Sequence, residues 1–503
     1  MKEYVIGIDI GTSGTKTVLW NARGQAVSSA TAEYPMAQPQ NGWAEQDPAD
    51  WHRATVETIR KVMRDTGVDP HAVGGIGLSG QMHGLVMLDE RNRVLRPAIL
   101  WCDQRTGAEC AEIEAEIGRQ RCVAITANPV LTGFTAGKIR WVQKHEPEIF
   151  QKCRKILLPK DYVRLLLTGE YATEVSDASG MQLLDVPMRA WSNVMCDALS
   201  IRADMLGKVY ESPDVTGVLT ESAAAECGLV AGIPVVGGAG DNAAAAIGMG
   251  VVSEGAAFTT IGTSGVVFAH TDRPLIDPAG RVHTFCCAVP GAWHVMGVTQ
   301  GAGLSLRWFR DTLCSPADFG CEDPYTWMTA QAEKSPVLAN RLFYLPYLMG
   351  ERTPHLDPNA RGVFFGLSGM HTKGDMIRSV LEGVAFSLTD CLTVLSEMKV
   401  GIDKMRICGG GGKSALWRQI IADCYGMPVC RMENEEGPAL GVGILAMVGC
   451  GLYPDVVTAC QEIVRERDRT EVSENAARYT QGYALYRRLY PALQKEFASL
   501  AAL

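Results

Sequence analysis

The sequence predicts an α/β protein built from two similar halves. Three observations carry that prediction. The pentapeptide Ile10-Gly11-Thr12-Ser13-Gly14 returns unchanged 251 residues later as Ile261-Gly262-Thr263-Ser264-Gly265. Each copy follows an apolar extended run, Tyr4 to Ile8 and Ala256 to Thr260, so each sits where a strand turns tightly into the next segment. A chain of 503 residues also exceeds what one hydrophobic core usually organises. The division is placed at 247/248, giving halves 1–247 and 248–503.

Composition narrows the partners. Hydrophobic content of 47%, charged content of 20% and 53 glycines describe a globular chain rich in tight turns. A net charge of −9 provides no basic footprint, so no nucleic-acid partner is expected. The N-terminus enters a strand with no apolar leader, and the apolar zone Val235 to Val252 is broken by Asp241 and Asn242. Neither a signal peptide nor a membrane span is expected, and the location predicted is cytoplasmic. The sixteen cysteines contain no CxxC pair and read as reduced thiols. No clustered histidine pattern suggests zinc.

In chain order, Thr17 to Trp20 and Gln25 to Tyr34 continue an antiparallel meander from the first strand. Asp47-Pro48 then caps a helix running to Met63, with Trp51, Thr55, Ile59 and Val62 at helical spacing. Val73 to Leu78 reads as a buried strand, Leu85 to Leu88 as another, and Arg96 to Trp101 as a third. Helices are predicted over Thr106–Ile117, Phe134–Lys144 and Lys160–Leu167. The second half opens with the strand Ile233 to Gly238, and the strands Phe258–Ile261 and Val266–His270 flank the repeated pentapeptide. Helices are predicted over Gly301–Thr312 and Thr372–Met398. Lys404–Cys408 reads as a strand, then the glycine run Gly409 to Gly412 as a turn into the helix Ala415–Tyr425. The helical tail Glu474–Leu500 is expected to pack back on the body.

Several short segments are candidates for chemistry. Glycines of the repeated turn permit close backbone approach, and its Thr and Ser add hydroxyl donors, a combination that cradles phosphate. Either copy alone also reads as a hairpin turn. Asp9, at a strand end just before the first copy, is a candidate magnesium ligand, since magnesium takes hard oxygens and keeps most of its waters; the alternative is a turn-capping aspartate. Asp241, within Gly237 to Ala243, stands at a helix start with little neighbouring bulk. The helix terminus is expected to lower its pKa and keep it ionised as a general base, the alternative being an N-cap. Ser79 to Gly84 offers hydroxyl, amide, thioether and imidazole groups, which suits a polyhydroxylated ligand, though His83 also reads as a structural histidine. Gly412-Lys413-Ser414 ends like a P-loop, but Ile407 stands where the pattern requires glycine, so the run either packs a nucleoside or serves only helix–strand packing. Arg352 and Arg361 read as phosphate ligands or as partners in salt bridges within their loop.

Together these segments resemble the FGGY carbohydrate kinases. The match runs in order through Gly7 to Lys16, Leu78 to Gly84, Gly238 to Asn242, Thr260 to Gly265, Trp293 to Gly297, Glu351 to Gly362 and Gly409 to Ser414. The resemblance implies two ribonuclease H-like, actin-like ATPase domains with ATP and sugar in the cleft between them. It implies sugar and phosphate binding by the first half and nucleotide binding by the second. Asp241 becomes the catalytic base, and Asp9 a catalytic residue holding Mg2+, directly or through water. Gln81, Met82, His83, Asp241 and Asn242 become sugar contacts. Thr12, Ser13, Gly14, Lys16, Thr263, Gly303, Gly410 and Ser414 become ATP contacts. Relatives acting on glycerol carry an Arg-Glu pair where this chain has Met82-His83, which disfavours glycerol. D-Xylulose phosphorylated at its 5-hydroxyl is the implied substrate, with ribulose, another ketose or a polyol as alternatives. A homodimer is compatible with the resemblance. An actin-like ATPase without a sugar substrate is the reading from a different class, and a catalytically silent sugar sensor a third.

Overall fold

A computed structural model describes residues 2–503. Strands β1 (Tyr4–Ile10), β2 (Gly14–Asn21) and β3 (Ala26–Glu33) form the expected antiparallel meander. Helix α1 (Pro48–Thr66) carries the chain over to β4 (Val73–Gly80), which lies parallel to β1. The Asp47 side chain accepts the Ala49 N–H, Pro48 takes the first turn, and Gly67 stops the helix in the left-handed region. Strands β5 (Val215–Val218), β6 (Pro234–Val236) and β7 (Ala239–Gly240) complete a sheet ordered β5-β6-β4-β1-β2-β3, with β7 beside the end of β4.

The second sheet repeats the plan. It contains β8 (Gly255–Ile261), β9 (Gly265–Thr271), β10 (His283–Cys286), β11 (Trp293–Thr299), β12 (Ile402–Cys408), β13 (Val429–Met432) and β14 (Glu466–Thr470) in the order β10-β11-β9-β8-β12-β13-β14. β8 runs antiparallel to β9 and parallel to β12, as β1 does to β2 and β4. The repeated pentapeptide therefore occupies equivalent junctions. The two copies still close differently. Ile10 pairs with Thr15, leaving a four-residue loop, whereas Ile261 pairs with Gly265, leaving three.

The helices relevant to the site are α2 (Asp241–Gly248), α3 (Gly303–Leu313), α4 (Lys373–Glu397), α5 (Ala415–Tyr425), α6 (Gly437–Gly449), α7 (Val456–Ile463) and α8 (Ala476–Ala501). α4 starts from a Thr372/Asp375 capping box and fills the core of the second half. Among the described residues it alone is long and apolar enough to cross a bilayer, and 83% of its most apolar window is buried inside the protein. The tail α8 packs back as expected, and its Tyr479 hydroxyl donates to Glu382 at 2.9 Å. All sixteen cysteines are unpaired.

Helix α6 departs from sequence order. It follows the second sheet in the chain yet lies on the first, where Trp20 Nε1 donates to the Ala439 carbonyl at 3.1 Å. Glycine makes this approach possible, because a Cβ on Gly77 would fall 2.1 Å from the Val442 carbonyl oxygen. α7 packs beside α6 and α2, after which β14 rejoins the second sheet. The chain thus crosses between the halves at 249–254, 433–436 and 464–465. Two smaller differences from expectation also appear. Gly409–Gly412 folds as one helical turn, and of Arg96 to Trp101 only Ala98–Ile99 enters a ladder, since its partner strand Glu45–Gln46 has two residues.

Candidate active site

The parallel pairing of β1 and β7 with β4, one on each side of it, brings the two proposed catalytic carboxylates to the same edge of the sheet, with β4 between them. Asp9 pairs with Ser79, and Ser79 with Ala239; one step further, Ile10, Gly80 and Gly240 align, and Asp241 follows directly. Parallel strands deliver their carboxyl ends to one edge, which is where a ligand cleft forms. Asp9 Oδ1 is fully buried and has no hydrogen-bond partner. Burial raises its pKa, and the Ser79 hydroxyl and Lys16 offset this in part. A buried carboxylate oxygen left without a partner beside a second carboxylate fits a hard cation such as magnesium.

Asp241 corrects one expectation. It occupies the first position of α2, but the helix terminus does not depress its pKa. Burial, followed by repulsion from Asp9, pushes it up to about 7, outweighing the hydrogen bonds from Asn242. Both of those bonds go to Oδ1, from the Asn242 backbone N–H at 2.7 Å and Nδ2 at 2.9 Å. Oδ2 takes none among the described residues, leaving it available to a substrate proton. Asn242, predicted as a sugar contact, is seen here orienting Asp241.

The first phosphate loop is held from behind. Gly11 N–H donates to the Gly14 carbonyl at 3.0 Å, Gln46 Nε2 to the Thr12 carbonyl at 2.7 Å, and Trp101 Nε1 to Thr12 Oγ1 at 2.9 Å. Ser13 and Gly14 complete the turn. Lys16, predicted as an ATP contact, forms an ion pair with Glu436 on the second crossing. The second loop rests on the start of α3, where Gly303 N–H donates to the Gly262 carbonyl at 2.7 Å and Leu304 N–H to the Thr263 carbonyl at 3.1 Å. A cavity of about 620 Å³ opens beside it, and its lining includes Thr263, Gly303, Gly410 and Ser414. Four predicted nucleotide residues from distant segments therefore share one wall. Thr12, Ser13 and Gly14 do not line that cavity; they belong to the opposite half. Arg307, Tyr325 and Trp417 also line it, and no motif in the sequence marked them. Ser414 Oγ additionally caps α5 by accepting from Trp417 N–H at 3.2 Å.

The proposed sugar loop is built with equal care. Gln81 is buried, and its amide donates to Gln46 Oε1 at 2.9 Å, so it ties this loop to the first phosphate loop. Met82 packs on Gly240, where a Cβ would lie 2.9 Å from its Cγ. His83 has φ 68 and lies tilted against Phe134 at 4.4 Å between centroids. Its Nδ1 lies 2.8 Å from the Gly180 carbonyl, which only accepts, so the proton sits on Nδ1 and Nε2 is an acceptor. Burial and the Lys138 charge hold its pKa well below the usual imidazole value, keeping the ring neutral. Lys138 itself is buried, donating to the His83 and Gly133 carbonyls at 2.8 Å each; burial brings its pKa down to about 7. As single residues Lys138, Gly180, Phe134 and Trp101 carried no signal in the sequence. The salt bridges allowed within the Arg352–Arg361 loop do not form, and Glu351 instead accepts from Thr299 at 2.6 Å and the backbone of Gln300 at 2.9 Å.

Two α/β halves of the same plan, one bringing a pair of carboxylates to its sheet edge and the other holding a nucleotide-sized cavity, have the parts of a phosphoryl-transfer enzyme. Residues 4–248 match the N-terminal domain of the FGGY family of carbohydrate kinases, and residues 257–450 match its C-terminal domain. The chain belongs to that family and is an ATP-dependent sugar kinase. It is 40% identical to a xylulose kinase of Escherichia coli over 97% of this chain and 99% of the relative. Among solved structures it resembles a ligand-bound xylulose kinase from Lactobacillus acidophilus, with TM-score 0.93, 28% identity and 99% of each chain covered. A gluconate kinase from the same organism is similar to the same degree, with TM-score 0.92, 28% identity and 99% of each chain covered.

Proposed function

We propose that the chain transfers the γ-phosphate of ATP to the 5-hydroxyl of D-xylulose, giving D-xylulose 5-phosphate and ADP, with Asp241 as the base. The observation that carries this reading is the position of Asp241, across β4 from Asp9 and directly after Gly240, which packs against Met82 of the sugar loop. The curated relative at 40% identity over nearly the whole chain supports xylulose as the sugar. In this reading the first half, 1–247, binds sugar and the second, 248–503, binds nucleotide. The enzyme works in the cytoplasm, which suits its unpaired cysteines.

Each residue then has a task. Nε2 of His83 accepts a sugar hydroxyl, and Met82 supports the carbon chain. Asn242 holds Asp241 Oδ1, leaving Oδ2 to take the proton of the attacking hydroxyl late in transfer. Thr12 to Gly14 and Thr263 grip the terminal phosphates from opposite halves, so the site completes only when the cleft closes. Asp9 would hold magnesium, which neutralises phosphate charge when bound.

The test is coupled ADP release with D-xylulose, ribulose, gluconate, glycerol and no sugar. Strong stimulation by D-xylulose is expected, and in Asp241→Ala a loss of about 10²–10⁴-fold with ATP binding retained. Preferred turnover of gluconate, the sugar named for a structural neighbour of equal similarity, would replace the substrate. Indifference to every sugar would support the ATPase reading, and near-normal turnover of Asp241→Ala would remove the base.

A further inference from the structure

Of the two arginines in the loop Glu351 to Gly362, Arg361 is turned back on its own loop, donating through Nη1 to the Pro358 and Ala360 carbonyls at 2.8 Å each. Arg352 is not. Its backbone is pinned on both sides, its own N–H donating to Glu351 Oε1 at 2.8 Å and the Thr353 N–H to the Val298 carbonyl at 2.9 Å, while Val298 N–H donates to Thr353 Oγ1 at 3.1 Å. The guanidinium at the end of this fixed backbone makes neither a hydrogen bond nor an ion pair among the described residues. Its nitrogens are not sealed in the core, since Arg352 keeps part of its surface accessible. It nonetheless sits deep: burial lowers its pKa, and the Glu351 charge opposes this. A cation placed deep in the fold without a partner is costly, and five unmatched donors suit a ligand rich in oxygen.

Arg352 belongs to the second half, but it reaches the first. A Cβ on Gly133 would lie 3.7 Å from Arg352 Nη2. Gly133 is joined to the sugar loop by Lys138, whose ammonium donates to the Gly133 and His83 carbonyls, and the Arg352 charge itself helps to lower the His83 pKa. The contacts run from Asp241 through Gly240 and Met82 to His83, and from there through Lys138 to Gly133 and Arg352. The phosphate loops, Gly11 to Gly14 and Gly262 to Gly265, include none of these neighbours, which sets aside the phosphate reading of this arginine.

We propose that Arg352 is a sugar-binding residue contributed by the nucleotide-binding half, holding the end of the substrate remote from the hydroxyl that Asp241 deprotonates. The inference rests on the kinase reading and adds a specificity residue to it. In D-xylulose that end carries the C2 carbonyl beside the C1 hydroxyl, two adjacent oxygens that one guanidinium fork takes together. A sugar held by His83 from one half and Arg352 from the other favours the closed arrangement of the cleft.

The test measures ADP release from full-length wild type, Arg352→Gln and Arg352→Lys, titrated with D-xylulose, with 1-deoxy-D-xylulose, which lacks the C1 hydroxyl, and with ATP. The sugar KM should rise about tenfold or more in Arg352→Gln and less in Arg352→Lys, while the KM for ATP stays within about twofold. Selectivity for D-xylulose over its 1-deoxy analogue, as the ratio of kcat/KM, should fall about threefold or more in Arg352→Gln. Melting midpoints without ligand should be equal to wild type or higher, because the substitution removes no protein partner. Arg352→Lys keeps the charge, so the comparison stands if Arg352→Gln does not fold. An unchanged sugar KM in both variants, an equal rise in the KM for ATP, or unchanged selectivity would overturn the assignment. Stimulation of the wild type by D-xylulose checks the kinase reading separately, so a responsive wild type beside unaffected variants overturns Arg352 alone.

Discussion

Replacing Asp241 by Asn should stabilise the protein while stopping turnover. Moving the Asp241 pKa from 3.8 to about 7 means that the folded state resists its ionisation. At 1.36 kcal/mol per pH unit the cost above pH 7 is about 4 kcal/mol as an upper bound, and water entering the cleft reduces it to about 2 kcal/mol. Asn keeps the shape and the acceptor for the Asn242 N–H but carries no charge. The pH dependence follows from the raised folded pKa. Between about pH 4 and pH 7 the folded state binds more protons than the unfolded state, so wild-type stability from this residue falls as pH rises. The advantage of the variant is therefore small near pH 5, widens to pH 7 and is constant above about 7.5. For a unit of this size 2 kcal/mol corresponds to roughly 2–6 °C in melting midpoint. The assay is paired melting of wild type and Asp241→Asn, without nucleotide or metal, from pH 5 to 8.5. A difference that is absent, or equal at every pH, would refute the assignment of a strained, desolvated carboxylate.

Two further outcomes follow from the same geometry. Gly410 has open space where a Cβ would project, so Gly410→Val should leave the melting midpoint within about 1 °C while raising the KM for ATP about tenfold or more, measured by ADP release. Lys138→Met removes two hydrogen bonds from the carbonyls of His83 and Gly133. It should cost about 2 kcal/mol and raise the sugar KM about tenfold, with a smaller change in kcat and none in the KM for ATP.

Much of the architecture was legible because it is local. Apolar alternation marked β1 to β3, the Asp47-Pro48 cap marked α1, and the repeated pentapeptide marked the equivalent junctions of two sheets. Asp9 and Asp241 stood out because a carboxylate followed or surrounded by glycines has little local purpose. The resemblance then supplied roles that spacing could not. What the sequence concealed is non-local. Nothing near residue 440 indicates that α6 lies on the first sheet, since that depends on glycine at position 77, more than 350 residues earlier. Lys138, Phe134 and Gly180 shape the His83 turn, yet each resembles an ordinary helix or loop residue in its own segment.

By itself the sequence determined the strand and helix units, the paired phosphate turns and the residue types needed for phosphoryl transfer, because backbone propensity, capping and glycine chemistry act within a few residues. Only the tertiary structure decided the charge state of Asp241. The helix start that surrounds it in sequence favours an ionised carboxylate, but burial and the Asp9 carboxylate, brought to the same sheet edge on the far side of β4 by parallel pairing, outweigh that local field. Tertiary structure likewise decided that identical pentapeptides close in different registers, since their neighbours, β3 in one half and α3 in the other, are different partners for the same five residues.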